Sequence, residues 1–481
     1  MLKIFNYLTR KVELFKPIKK GRVGLYTCGP TVYDYAHIGN LRTYIFEDIL
    51  KRTLKHSGYR VKHVMNLTDV DDKTIRGASK ENIPLAHYTE RYAQAFFENL
   101  NKLRIEPAAI FTKATEHIPE MIRLIKKLLK QGCAYCVDGS VYFDISKFKK
   151  YGRLSKLDLK GLKAGARVDV DEYAKDAAQD FVLWKAAKPS EPAWPAPFGA
   201  GRPGWHIECS AMSMKYLGES FDIHAGAVDL LFPHHEDEIA QSEAATGKPF
   251  VKYFVEGEHL FVEGEKMAKS LNNFLTLRDI EARGFDPLDF RFLVLQAHYR
   301  SRLNFTWQAL AAAREGRKKL TDFIGNVKTY GSARPTGLPR PSTSSGLAMT
   351  VKRFQRQFLK SLQNDLDTPK ALALVFDLVR EVNPMLEGRE VSIKDKGALE
   401  RAIGYADSVF AVLPPAKART APLPREVKAL AAEREELRSQ NKFKEADEIR
   451  KKIHALGYGI EDTTGGARIR KNPNVKIPMS N

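Results

Sequence analysis

Two periodicities alternate along the chain. Residues 24–27 form a short β-type run, and Leu41, Tyr44, Ile45, Asp48 and Ile49 then repeat at helical spacing. The stretch between them, Cys28-Gly29-Pro30-Thr31-Val32-Tyr33-Asp34-Tyr35-Ala36-His37-Ile38-Gly39-Asn40, therefore reads as the first strand-to-helix loop of an α/β sheet. Residues 59–66 alternate polar and apolar like a second strand and run into Asp69, Asp71 and Asp72. Strand, helix, strand at this spacing predicts a right-handed βαβ unit, with loop and carboxylates at the sheet edge where ligands bind. The three aspartates are candidates to hold Mg²⁺, while capping of the helix that follows explains at least one of them equally well.

Helical patterns continue over 85–102 and 116–131, with Gly132 as a C-terminal cap, and a hairpin over 134–145 turns at Asp138-Gly139. The Pro- and Gly-rich residues 188–204 mark the end of an inserted segment and the return to the sheet. Phe232-Pro233-His234-His235-Glu236-Asp237-Glu238 opens a helix with Pro233 at its first position. After Phe290 the pattern is helical; linker composition interrupts it at 330–346, and amphipathic helices resume over 347–412. A Pro/Ala linker at 413–424 precedes a helical pair, 426–440 and 443–456, and a Gly-rich β-like end. There is no internal repeat.

At 481 residues the chain is long enough for three or four domains, and 43% hydrophobic residues suit a globular protein. Lys and Arg number 78 against 58 Asp and Glu, a net +20 spread along the chain, which points to a polyanionic partner. Nucleic acid leads membrane here, because no apolar run approaches the roughly 20 residues of a spanning helix. The N-terminus has no signal-peptide apolar region. Four cysteines, Cys28, Cys133, Cys136 and Cys209, are too few for a disulfide framework and fit a reducing cytoplasm. Cys133 and Cys136 have zinc-knuckle spacing but no second pair, and a strand points them to opposite faces, so they read as structural.

Chemistry concentrates elsewhere. The first loop offers a thiolate (Cys28), an imidazole (His37), a glycine that admits close approach (Gly39) and a helix N-terminus suited to phosphate. His234 and Glu238, four apart, share a helix face; with Cys28 and Cys209 they make a reasonable zinc set of two thiolates, one imidazole and one carboxylate. In the polar loop 263–273, Lys266 and Lys269 are spaced to reach adjacent phosphates.

His37-Ile38-Gly39-Asn40, Lys266-Met267-Ala268-Lys269-Ser270 and the four zinc-type residues together resemble the cysteinyl-tRNA synthetases, along essentially the whole chain. The resemblance implies an α/β fold: a class I Rossmann-type catalytic domain with an insertion, then an α-helical bundle and a small C-terminal anticodon-binding domain. It places the catalytic halves at 1–110 and 204–250 around an insertion at 111–203, a stem-contact segment at 251–310, the bundle at 311–415 and the anticodon domain at 425–481. It implies one Zn²⁺ on Cys28, Cys209, His234 and Glu238, receiving the substrate sulfur, and an amino-acid pocket lined by Thr68, Trp205 and His224. It assigns ATP, with Mg²⁺, to Thr31, His37, Gly39, Asn40, Asp229, Lys266 and Lys269, of which His37, Asn40, Lys266 and Lys269 are catalytic. Arg438, Phe443 and Asp447 match anticodon contacts.

The implied partners are tRNA(Cys), L-cysteine and ATP, for a cytoplasmic monomer with no membrane association. Asn40 departs from the second histidine often found there, Ala268 from serine, and Ala225 and Ala227 from glycines. Two readings compete: a mycothiol-pathway ligase joining cysteine to an amino sugar, which lacks the tail at 425–481, and a non-catalytic zinc-containing RNA-binding protein, which has no need of two phosphate-type loops.

Overall fold

The computed structural model describes residues 1–156, 167–168, 179–189, 191–267, 273–330, 345–388, 390–413, 425–440, 442–456, 458–463 and 466–471. The chain forms two compact units, residues 1–413 and 414–481. Lys269, most of the expected linker at 330–346 and the linker at 414–424 lie outside the described residues.

The first unit is built on a five-stranded parallel sheet of β1 (Arg22–Thr27), β2 (Arg60–Leu67), β3 (Ile110–Lys113), β4 (Phe221–Ala227) and β5 (Val251–Gly257), ordered β5-β4-β1-β2-β3. From β1 the chain runs to β2 and β3 on one side and only later to β4 and β5 on the other. The C-terminal ends of β1 and β4 therefore flank a topological switch point, the place where an open α/β sheet leaves a crevice for ligand. Helix α1 (Ile38–His56) leaves this crevice, while α2 (Trp205–Leu217) and α3 (His234–Thr246) bracket β4 in sequence. Ile38, Leu41, Tyr44, Ile45 and Ile49 of α1 are buried in a core shared with Phe290, Phe292, Phe354 and Phe410 of the helical region. An ionic network reinforces it: the Asp48 carboxylate accepts from Arg52 Nε (2.8 Å) and Arg291 Nη2 (2.5 Å), and Arg291 also donates to the carbonyls of Leu103 and Phe410.

Between β3 and α2 the insertion makes an antiparallel sheet of residues 134–137, 140–143, 180–186 and 201–203. Its first turn has Asp138 and Gly139 at φ 49° and 79°, the left-handed geometry that a two-residue Asp-Gly hairpin requires. Cys133 and Cys136 are free thiols, and neither belongs to a cluster of metal-type ligands among the described residues.

Some local expectations change. The helix expected over 116–131 begins as a 3₁₀ turn, Ala114–His117, and becomes α-helical at Ile118–Lys130. Pro233 precedes α3 as its cap residue rather than being its first helical residue. Of the three aspartates, one caps the following helix and the other two bond to distant segments. Asp71 caps the helix Asp72–Glu81, Asp69 accepts from the Thr115 amide (3.0 Å) and hydroxyl (2.6 Å), and Asp72 pairs with Lys185 (2.7 Å) and Arg202.

The second unit packs Arg425–Ser439 and Phe443–Ala455 around Val427, Ile449 and Ile453, followed by an antiparallel hairpin, Tyr458–Thr463 with Gly466–Lys471.

Candidate active site

A cavity of about 210 Å³ opens at the switch point, lined by Cys28, Thr31, Tyr35, His37 and Asn40 of the first loop, Trp205 of α2, Asp229 after β4, and Phe274. At one end four donors from separate stretches converge. Cys28 directly follows β1, Cys209 lies on α2, and His234 and Glu238 lie one turn apart on α3; their ligand atoms all fall within 4.8 Å of one another. All are buried, with 8%, 1%, 1% and 0% exposure in that order.

Several donors that the sequence reading passed over share this end. His235 brings Nε2 to 3.6 Å from Cys28 Sγ and Nδ1 to 3.0 Å from Glu256 Oε1, and with Cys28, His224 and Glu238 it forms a second donor group. His224, expected in the amino-acid pocket, lies with Nε2 3.1 and 3.2 Å from the two Glu238 oxygens. His206 and His234 bring their Nδ1 atoms to 2.9 Å, and His206 Nε2 is 3.4 Å from Asp237. A proton on His234 Nδ1, shared with His206 Nδ1, leaves the His234 Nε2 lone pair facing Glu238 Oε1, 3.1 Å away. The run His-His-Glu-Asp-Glu at 234–238 was the available signal; only two of its members had been used.

Burial keeps most of these donors uncharged in the absence of an ion. Burial pushes the Cys28 thiol well above its ordinary range, and the neighbouring Cys209 thiol adds to the shift. Cys209 is raised by burial too. Burial holds His234 and His235 well below the usual imidazole value, so both are neutral and carry a lone pair. Two thiols, neutral imidazoles and a carboxylate this close fit a borderline-soft divalent ion such as zinc.

Trp205 stacks on His234 with ring centroids 4.3 Å apart, and so joins the cavity wall to the donor cluster. Thr68 is buried beneath it, where its hydroxyl donates to Glu208 Oε2 (2.8 Å) and accepts from Asn66 (3.2 Å).

The other end is a helix N-terminus. His37 caps α1: the Asn40 amide N–H donates to His37 Nδ1 (3.1 Å), and the His37 N–H donates to Asn40 Oδ1 (3.2 Å). Asn40 is thus the reciprocal partner of a capping box, for which an amide oxygen serves as well as the usual Glu or Gln. Gly39 is required by space, since a Cβ there would lie 2.7 Å from Met267 Cε and 2.9 Å from the His37 ring. Lys266 is exposed at the end of a short strand, Glu265–Lys266. Arg438, Phe443 and Asp447 belong to the second unit; Phe443 is 53% exposed, with the Arg438 guanidinium 5.9 Å from its ring.

Comparison with known proteins agrees with this geometry. A family model described as the tRNA synthetases class I (C) catalytic domain matches residues 14–315, and a DALR domain model matches 357–413. The cysteine–tRNA ligase of Chlamydia pneumoniae is 48% identical over 473 residues, 98% of this chain and 98% of that protein. That of Koribacter versatilis is 44% identical over 499 residues, 98% and 99% of the two chains. The solved methionyl-tRNA synthetase of Mycobacterium tuberculosis in complex with methionyl-adenylate has a TM-score of 0.57 at 14% identity, covering 81% of this chain and 90% of that one, a likeness of fold alone. Among the described residues no helix is long and apolar enough to cross a membrane. A parallel sheet with its crevice at the switch point, the two matching domain models and near-full-length relatives converge on one conclusion: the chain belongs to the class I cysteine–tRNA ligase family.

Proposed function

We propose that this chain joins L-cysteine to ATP as cysteinyl-adenylate and passes the cysteinyl group to the 3′-terminal ribose of tRNA(Cys). The observation that carries the reading is the convergence of Cys28, Cys209, His234 and Glu238 beside a cavity whose opposite end is the N-terminus of α1. A zinc ion held by these four residues supplies a soft Lewis acid that prefers a substrate thiolate to a serine hydroxyl and lowers the thiol pKa.

The residues of the chain do the rest. Trp205, Thr68 and His224 close the amino-acid end around a small side chain. The substrate carboxylate attacks the α-phosphorus directly, so no protein nucleophile is required and alignment is the main contribution. His37, Asn40 and the α1 N-terminus meet the phosphates; with Oδ1 engaged in the cap, Asn40 has its NH₂ to donate. Gly39 and Asp229 face the adenosine, Thr31 lies beside them, and Lys266 and Lys269 neutralise the departing pyrophosphate, whose Mg²⁺ comes with the nucleotide. A terminal ribose hydroxyl of the tRNA then attacks the adenylate carbonyl and AMP leaves. In the second unit Phe443 offers an exposed ring for anticodon stacking, beside Arg438 and Asp447. The protein acts as a cytoplasmic monomer.

The test is ATP–pyrophosphate exchange and tRNA charging by the purified chain, with cysteine and with serine. Exchange and charging with cysteine alone supports the reading. Exchange without charging of any bacterial tRNA would favour transfer to another acceptor, and neither activity in zinc-loaded protein would overturn it.

A further inference from the structure

Tyr35 and Arg278 have no role in the chemistry above, yet they join the two loops that frame the cavity. Arg278 lies on the short helix Leu277–Ala282, directly after the lysine-bearing loop, and its guanidinium carbon is 3.9 Å from the centre of the Tyr35 ring. Tyr35 lines the cavity two residues before His37. Its ring meets that of Tyr92 edge-on at 5.2 Å, so it is held between a cation and an aromatic wall.

Three further contacts join the same two segments. The Ile38 N–H donates to the Leu275 carbonyl (2.8 Å), His37 and Thr276 form an isolated β-bridge, and the Phe274 ring meets the His37 ring edge-on at 5.1 Å. From behind, the Tyr88 hydroxyl donates to the Tyr33 carbonyl (2.8 Å). The segment 33–37 is thus pinned at Tyr33 by the helix Leu85–Lys102, at His37 by backbone and Phe274, and between them by the Tyr35 stack.

We infer that Arg278 is a positioning residue for amino-acid activation: by stacking on Tyr35 it fixes the loop that carries His37 relative to the segment that follows Lys266. A planar guanidinium suits this because it lies flat on the ring while its edges stay in water. The inference rests on the proposed role of this cavity in adenylate formation. It goes beyond that role in assigning function to a pair that carries none of the chemistry described above.

The test is a double-mutant cycle on the full-length chain, read by pyrophosphate exchange, which needs no tRNA. If the wild-type chain shows no cysteine-dependent exchange, the proposed function itself fails, an outcome separate from any comparison of variants. Given exchange, Arg278→Ala and Tyr35→Leu should each lower kcat by about fivefold with the KM for cysteine unchanged. The double variant should be no slower than the worse single one. Tyr35→Phe, which keeps the ring, should stay within about twofold of wild type, and Arg278→Lys should fall between wild type and Arg278→Ala. Losses that multiply in the double variant would overturn the inference. So would wild-type exchange in Arg278→Ala with the loss confined to tRNA charging, which would make Arg278 a contact to tRNA phosphate. A defect in Tyr35→Phe equal to that of Tyr35→Leu would equally exclude the stack.

Discussion

The two ends of the cavity are built on opposite principles. At the cluster end every donor is buried and held by or next to regular structure: Cys28 directly after β1, Cys209 on α2, His234 and Glu238 on α3, with His206 and Asp237 close by. At the nucleotide end the groups belong to a helix terminus and loops, and Lys266 is exposed. The difference matches what the proposed function asks of each end. Telling SH from OH needs a dry, preorganised soft site, because hydrophobic pockets separate near-isosteres by only about 10²-fold. Binding a triphosphate needs cations that remain solvated until the ligand arrives, and such groups sit on the surface.

Breaking the buried end should therefore have the largest consequence. Cys209→Ser replaces a soft ligand with a hard one of nearly the same size, so bound zinc and cysteine-dependent exchange should fall together, by about 100-fold or more in kcat/KM. Full exchange activity in a variant that metal analysis finds zinc-free would remove the buried end from the mechanism. At the exposed end, Lys266→Ala should slow exchange by about 100-fold while zinc content and the cysteine KM stay at wild-type values. Loss of zinc in that variant would erase the division between the ends.

The ends also differed in how far the sequence disclosed them. Cys28, Cys209, His234 and Glu238 could be named from residue type, helical spacing and family resemblance, but their convergence depends on β1, α2 and α3 meeting at one edge of the sheet. His206, His235 and Asp237 were passed over because a histidine next to a ligand carries no periodicity that separates support from packing. Asn40 read as a phosphate contact in place of a histidine; its oxygen also closes a capping box with His37, a local interaction that the three-residue spacing already encoded. Asp71 caps its helix through Thr74, three residues on, but Asp69 and Asp72 find Thr115, Lys185 and Arg202 on distant segments that no local pattern reveals. The first two strands and the hairpin at Asp138-Gly139 were easier, because period-two alternation and an Asp-Gly pair are local signals.

Smaller effects sharpen the comparison. Phe443→Ala in the second unit should raise the KM for tRNA by about tenfold in charging and leave exchange unchanged, as expected for one lost stacking contact. A change in exchange would assign the ring to the fold rather than to tRNA. The smallest effect concerns His63 on β2, buried with Nε2 2.9 Å from Thr27 Oγ1 and held down to about 3 by burial and by Lys51. The unfolded chain takes up this proton near pH 6.5, whereas the folded chain takes it up only near 3. The neutral ring thus costs nothing above pH 6.5, and as the pH falls below it the fold loses about 1.4 kcal/mol per pH unit. His63→Gln should lessen the drop in urea midpoint between pH 7 and pH 5.5; an unchanged drop would exclude His63 as its source.

The central claim is that a buried cluster of two thiolates, an imidazole and a carboxylate selects the substrate by its sulfur. The ratio of kcat/KM for cysteine over serine in pyrophosphate exchange, measured on zinc-loaded protein, tests it most directly. The account predicts a ratio of about 10⁴ or more, beyond what an apolar pocket alone provides. A ratio near 10² would contradict it.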